Sequence, residues 1–250
     1  MTEHADDNKI GTCSNNRVTT ELHTIQGEKV ALPLAVRDAS VASAMFAVPA
    51  RAAQAVIAYS GLEAAAWRGR AVCSLAFVRY ADGDLGAYHE FAVAFLVRHP
   101  DRERGVGAFI HWLPVNQEFT LEAGRSIWGF PKELADIPMD LSSRIKRCAV
   151  RIGGRTAIEV AVRPGPPIPA RGGEPAVDAY SCLDGVTRRI PWSLRPGAVR
   201  TRPGGATVLL GDHPVAEELR GLGLDRARAL TSSSVGRLSM TFGGAEEVRA

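Results

Sequence analysis

The feature that most restricts the fold of this chain is a pair of long apolar segments, Ala71 to Tyr80 and Tyr88 to Val97, separated only by Ala81-Asp82-Gly83-Asp84-Leu85-Gly86-Ala87. An Asp-Gly pair favours a tight reversal, so the two segments are predicted to pair as a β-hairpin. Val106 to Val115 is a further strand candidate, and Cys148 to Ile152 with Thr156 to Val162 brackets Gly153-Gly154 as a second hairpin. Val41 to Val48, Val199 to Arg202, Ala206 to Leu210 and Leu230 to Phe242 continue the strand pattern. Helix signals are short: Pro49 opens an alanine-rich run from Ala50 to Ala58, and His213-Pro214 begins another through Leu219. Internal repeats and long amphipathic helices are missing. The predicted class is therefore β-rich α+β, a curved or closed antiparallel sheet with a few short helices.

With 250 residues, 46% of them hydrophobic and 23% charged, the chain can bury a substantial core. Residues 1–17 carry little apolar content and are expected to form a mobile arm, leaving 18–250 as one domain. The Pro- and Gly-rich stretch from Pro164 to Pro175 reads as a loop within that domain at least as readily as a linker. The formal net charge is +3, but the basic residues are mixed with 27 acids instead of forming a block, which argues against nucleic-acid binding. Cys13, Cys73, Cys148 and Cys182 include no CxxC pair, so they are expected to be reduced thiols of a cytoplasmic protein. The polar, acidic start lacks signal-peptide character, and the longest uncharged apolar stretch, Ala39 to Ala50, is too short to span a bilayer. Six dispersed histidines show no ligand spacing, so no metal is expected.

The chemistry centres on Gly124-Arg125-Ser126-Ile127-Trp128-Gly129-Phe130-Pro131-Lys132-Glu133-Leu134. Lys132 is a candidate amine nucleophile, because apolar surroundings favour the neutral amine that attacks a ketone. On an extended backbone Trp128, Phe130 and Leu134 share its face. A solvated surface lysine is the ordinary alternative. Glu90, in Tyr88-His89-Glu90-Phe91, reads either as a strand-end carboxylate in water or as a group that orients substrate and exchanges a proton. Alternation turns His89 to the opposite face. Arg37 offers a planar guanidinium to a substrate carboxylate, or pairs with Asp38 or another acid. Arg125 is expected to brace its loop. Ser232-Ser233-Ser234 lacks a GxSxG context, and no phosphate loop follows Gly83 and Gly86, which argues against a serine hydrolase and a P-loop enzyme.

In their order and spacing these segments resemble the acetoacetate decarboxylase family. Gly124-Arg125 through Pro131-Lys132 is similar to the family's Gly-Arg-Glu…Pro-Lys-Lys, with Lys132 in the place of the Schiff-base lysine. Asn116-Gln117-Glu118 is similar to its Asp-Asn-Glu, and Tyr88-His89-Glu90 to its Tyr-Thr-Glu, which makes Glu90 the equivalent of an active-site glutamate. Leu210-Gly211-Asp212-His213 and Leu230-Thr231-Ser232-Ser233-Ser234 resemble its closing Asp-His and Ser-Ser-Ser segments, so the similarity runs from about Ala31 to Val248.

The resemblance implies a cone-like antiparallel β-barrel assembled into homo-oligomers. It also implies a lyase, without a cofactor, that condenses Lys132 with a β-keto acid or related small oxo acid. Glu90 would then orient substrate or shuttle a proton, Arg37 would bind the carboxylate, and Phe130, Trp128 and Tyr88 would line the substrate site. Three departures stand out: Glu133 replaces the second lysine, Ser126 the glutamate after Gly-Arg, and Leu75 falls where a second active-site glutamate is expected. Arg37 aligns with the family's substrate-binding arginine only after a two-residue slip. Aldol, dehydration or cyclisation chemistry on the same iminium is therefore the alternative, and a noncatalytic small-molecule binding protein on this scaffold is a third reading.

Overall fold

In the computed structural model, residues 21–102, 104–169 and 175–248 are described, so the expected arm at residues 1–17 lies outside the described part. The chain enters as a ribbon of β1 (Glu21–Ile25) and β2 (Glu28–Leu32), then runs into the long strand β3 (Leu34–Pro49). Pro49 presets the backbone for helix α1 (Ala50–Ile57). The predicted hairpin follows as β4 (Arg70–Gly83) and β5 (Tyr88–Arg98), with Tyr80 opposite Tyr88 and Phe77 opposite Phe91. Next come β6 (Val106–Val115), α2 (Glu118–Trp128), β7 (Lys132–Leu134), β8 (Met139–Asp140), and the second predicted hairpin, β9 (Lys146–Ile152) and β10 (Arg155–Val162). The remainder is β11 (Ala176–Leu183), β12 (Val186–Pro203), β13 (Ala206–Leu210), α3 (Pro214–Gly221), β14 (Ala229–Phe242) and β15 (Glu246–Glu247).

The principal sheet has the order β11-β12-β14-β3-β4-β5-β6-β7. One edge of β6 is shared: Ala108 and Phe109 pair in parallel with Ala179 and Tyr180 of β11, and Leu113 to Val115 pair with Lys132 to Leu134 of β7. The β6–β11 ladder returns the sheet to its own first strand, so the sheet closes into a barrel. A smaller sheet, β13-β10-β9-β8, carries the second hairpin.

Side-chain alternation divides the two faces of this ring. Cys73, Leu75 and Phe77 of β4, with Phe91, Val93 and Phe95 of β5, enter a dry core with Val150, Ile158 and Val160 of the smaller sheet, Ile57 of α1 and Leu219 of α3. The intervening residues, Ser74, Ala76, Val78 and Tyr80 on β4 and Glu90, Ala92 and Ala94 on β5, face an internal cavity. Leu75 therefore points away from the cavity, and the residues that flank it, Ser74 and Ala76, occupy the cavity face.

Three local readings change. The segment Glu118 to Trp128 is helical, so the expected extended run from Trp128 to Leu134 is instead a helix end, a turn and a short strand. β12 is far longer than the predicted Val199 to Arg202, because strand pairing on both sides overrides Pro191 and Pro196, which lack an N–H to donate. β3 begins at Leu34 instead of Val41. Cys73, Cys148 and Cys182 are buried free thiols, and burial pushes Cys73 and Cys148 up to about 12. Among the described residues no helix is long and apolar enough to cross a membrane.

Phe77 is fully buried where the two sheets meet, so Phe77→Ala is expected to lower the unfolding free energy by about 3–5 kcal/mol in urea titrations, leaving the cavity on the other face intact.

Candidate active site

Helix α2 begins where the Gln117 side chain accepts a hydrogen bond from the Thr120 N–H, and it carries Glu118 in its first turn. It stops at Gly129, whose φ of 62° is the left-handed conformation that glycine adopts without penalty. Gly129 N–H donates to Arg125 O, the bond of an αL cap, and Phe130 N–H donates to Gly124 O, so two of the last helical carbonyls are satisfied. The turn sends Pro131-Lys132 alongside β6, and Arg125 Nε donates to Lys132 O at 2.9 Å, bracing the segment as expected from its position.

Gly124 faces the lysine stem. A Cβ there would lie 2.5 Å from both Cδ and Cε of Lys132, closer than non-bonded carbons approach. Glycine inside a helix costs about 1 kcal/mol relative to alanine, so the position serves the lysine rather than the helix.

Lys132 is 3% exposed, with Nζ 2.9 Å from Glu90 Oε2 and donating to Thr120 Oγ1 at 3.0 Å. Nζ also stands 5.2 Å from the centroid of the Tyr88 ring, within cation–π range. Tyr80 OH donates to the other carboxylate oxygen, Glu90 Oε1, at 2.9 Å. The Tyr80 and Tyr88 rings stack at 4.2 Å. Burial, reinforced by the Glu90 charge, holds both phenols well above their ordinary range, so both remain protonated donors.

Adjacent strand residues point oppositely, and Glu133 faces away from its neighbour: it accepts from Trp112 Nε1 at 2.8 Å, with His213 Nε2 at 3.9 Å. The carboxylate that meets the amine is Glu90, from β5.

The pair opens on a cavity of about 460 Å³, in the usual range for ligand sites. Lys132, Glu90, Tyr88, Trp128 and Phe130 all line it, so five of the six sequence candidates converge. Lys132 and Glu90 are the only charged residues on its wall among those described. Arg37 is the candidate that the structure does not bring there. The β3–β4 pairing carries the hairpin acids alongside it, and its fork grips Asp82 through Nε and Nη2, both at 2.8 Å, and Asp84 through Nη1 at 2.6 Å. These bonds, Asp82 first, raise Arg37 further, and Arg37 in turn lowers Asp82. Leu134, the last residue of β7, is exposed and lies off the cavity wall, although it is two residues from Lys132 on the same strand.

Two members of the site escaped the sequence reading. Tyr80 was legible in principle, because the hairpin pairs it with Tyr88, two residues before Glu90. Thr120 becomes visible only once α2 is a helix and places it four residues before Gly124. Among the described residues, no three His, Cys, Asp or Glu side chains gather as metal ligands would.

An amine and a carboxylate converging inside a closed, apolar β-barrel define the class to which this chain can be compared. The chain belongs to the acetoacetate decarboxylase family: the family model described as Acetoacetate decarboxylase (ADC) matches residues 19–245. Among solved structures, it is similar to acetoacetate decarboxylase from Legionella pneumophila subsp. pneumophila str. Philadelphia 1, at 18% identity and a TM-score of 0.68 over 87% of each chain. It is also similar to the enduracididine biosynthesis enzyme MppR, at 16% identity and a TM-score of 0.65, covering 86% of this chain and 88% of that one. An acetoacetate decarboxylase-like enzyme from Sphingomonas wittichii RW1 matches at 16% identity and a TM-score of 0.65, over 89% of this chain and 96% of its own. At these identities the likeness establishes the fold. No curated protein matches the sequence.

Gly124→Ala is expected to gain up to about 1 kcal/mol of helix propensity while driving the lysine stem aside. Thermal unfolding should show a fold retained, and labelling of Lys132 by a carbonyl reagent with borohydride should fall at least tenfold. Unchanged labelling would show that the lysine does not need the gap.

Proposed function

We propose that the chain is a Schiff-base carbon–carbon lyase acting on a β-keto acid or a related oxo acid. The observation that supports this best is the enclosed contact between Lys132 Nζ and Glu90 Oε2 at 2.9 Å on the wall of an apolar cavity. Proton transfer along that contact converts ammonium and carboxylate into amine and carboxylic acid without changing the net charge of the cavity. The free amine then attacks the keto carbon. Two protons reach the oxygen, the one Glu90 took from the ammonium and one released by the attacking nitrogen, so water leaves and an iminium joins Lys132 to the substrate.

The bond from the α-carbon to the carboxylate then breaks, its electron pair moves into the iminium, and carbon dioxide departs from an enamine. A carboxylate set against apolar walls is poorly solvated, and its charge disappears in this step, so the surroundings favour it. Glu90, a carboxylate again once water has left and its other oxygen held by Tyr80, relays a proton taken from water to the enamine carbon. Water hydrolyses the resulting iminium and frees the amine.

A second reading keeps the iminium and joins the enamine to another carbonyl compound. It is favoured by the single carboxylate on the cavity wall among the described residues, and by MppR, a fold neighbour solved with the condensation product of pyruvate and imidazole 4-carboxaldehyde. Carbon dioxide release from oxo acids supplied alone, against product formation only when an aldehyde is added, separates the two.

Borohydride added to the enzyme with acetoacetate or another oxo acid is expected to fix a mass increment on Lys132, located by peptide mass spectrometry and lost in Lys132→Met. If no oxo acid or ketone yields an adduct, the Schiff-base reading fails. Tyr80→Phe removes one hydrogen bond to a charged group and is expected to lower kcat by about tenfold or more, with adduct formation retained.

A further inference from the structure

The cavity is long, and its polarity is confined to one end. On β4 its lining residues run from Tyr80 to Ser74, and on β5 from Glu90 to Leu96, each four alternate residues spanning six positions. At a rise of about 3.3 Å per residue, either wall extends about 20 Å from the amine. Strand register fixes the two ends: Tyr80 pairs with Tyr88 beside Lys132, whereas Ser74 pairs with Met45 on one side and Ala94 on the other. At the far end Met45 is 38% exposed and Val106 is 51% exposed, so the cavity reaches the surface there.

Between these ends the facing residues are small. Ala76 pairs with Ala92 and Ser74 with Ala94, all four on the cavity wall, so two successive cross-strand pairs leave the bore open where larger side chains would close it. Around them stand Val41, Ile110, Leu238 and Met240. Taking about 30 Å³ for each heavy atom, the share of one water molecule in the liquid, 460 Å³ accommodates about fifteen heavy atoms. Acetoacetate fills roughly half of that. A substrate with a second charge would find no partner on this wall among the described residues, since Glu90 already holds the only cation.

We propose that the substrate of this site is an oxo acid bearing an unbranched apolar chain of about eight to ten carbons, its keto carbon at Lys132 and its chain along β4 and β5 toward Met45. The placement of the keto group rests on the Schiff-base reading above. The chain length rests on the cavity alone.

The test uses methyl ketones, the products expected of decarboxylation: acetone, methyl pentyl ketone and methyl nonyl ketone. Their affinities are measured by calorimetry for the intact protein and for Lys132→Met, with borohydride trapping on the intact protein in parallel. Affinity is expected to rise by about fourfold per methylene through methyl nonyl ketone in both proteins, the gain for each methylene removed from water. Adducts are expected in the intact protein only. Affinity that does not rise with length overturns the chain-length assignment, and if acetone is still trapped the Schiff-base reading survives. Rising affinity with no adduct for any ketone has the opposite meaning: the apolar chain site stands and the amine chemistry falls. Ala94→Phe narrows the bore and is expected to lower the ratio of nonyl to acetone affinity by at least tenfold. Ala76→Leu tests the same ratio if that variant does not fold. A ratio unmoved in a folded variant would place the chain elsewhere and overturn the assignment.

Discussion

An ammonium and a carboxylate lose most of their hydration when Lys132 and Glu90 are enclosed, a loss of several kcal/mol for each ion that only close and complete pairing offsets. The surrounding structure supplies that completeness one valence at a time. Glu90 Oε2 meets Nζ, Glu90 Oε1 accepts from Tyr80, and a second proton of Nζ goes to Thr120. These partners come from β4, β5, α2 and β7, so the pair forms only when the hairpin, the helix and the short strand have docked on β6. The site and the fold are therefore one assembly problem. β6 is the common element, pairing with β5 along one edge and with both β11 and β7 along the other.

Residues that make no contact with a ligand follow from the same requirement. Gly124 leaves the space that the lysine stem occupies, Gly129 permits the reversal that delivers Pro131-Lys132 to β6, and Arg125 fastens the strand back to its helix. Glu133 is a further case. Its carboxylate, next to Lys132 in sequence, is turned by strand alternation toward Trp112 and His213.

What was legible in the sequence is what local physics determines. The two hairpins, the strand of β6 and the helix after Pro49 rest on turn chemistry and short-range pattern, and they form as expected, except that the first reversal falls at Asp84-Leu85 while Asp82-Gly83 ends β4, paired with β3. Lys132, Trp128 and Phe130 were legible as candidates because an amine among aromatic residues is unusual on any backbone, and Tyr88 and Glu90 because Tyr88-His89-Glu90 resembles a segment of the family. The missing parts depend on partners distant in sequence. α2 has no Ser, Thr, Asp or Asn at its N-cap, although Arg125 in its last turn and Gly129 beyond it are stop signals. β12 holds through its pairing with β11 and β14, against the grain of its prolines. Arg37 turned on what lay across the strand, and across the strand lay Asp82.

The departure at Leu75 gains a different meaning from the side-chain parity of β4. Odd-numbered residues from Cys73 to Phe77 belong to the dry core, so a carboxylate serving the cavity from this part of the strand would stand at position 74 or 76. Those positions hold Ser74 and Ala76, whose neighbours across the strand are Ala94 and Ala92. Small side chains there do two things together: they leave Glu90 as the one carboxylate on the cavity wall among the described residues, and they open the wall toward Met45. A carboxylate at either place would sit against apolar walls without a counter-charge among the described residues, at a desolvation cost that a chain of methylenes lying there does not incur. A wall with one carboxylate among the described residues and a longer apolar bore are thus two consequences of the same pair of small residues.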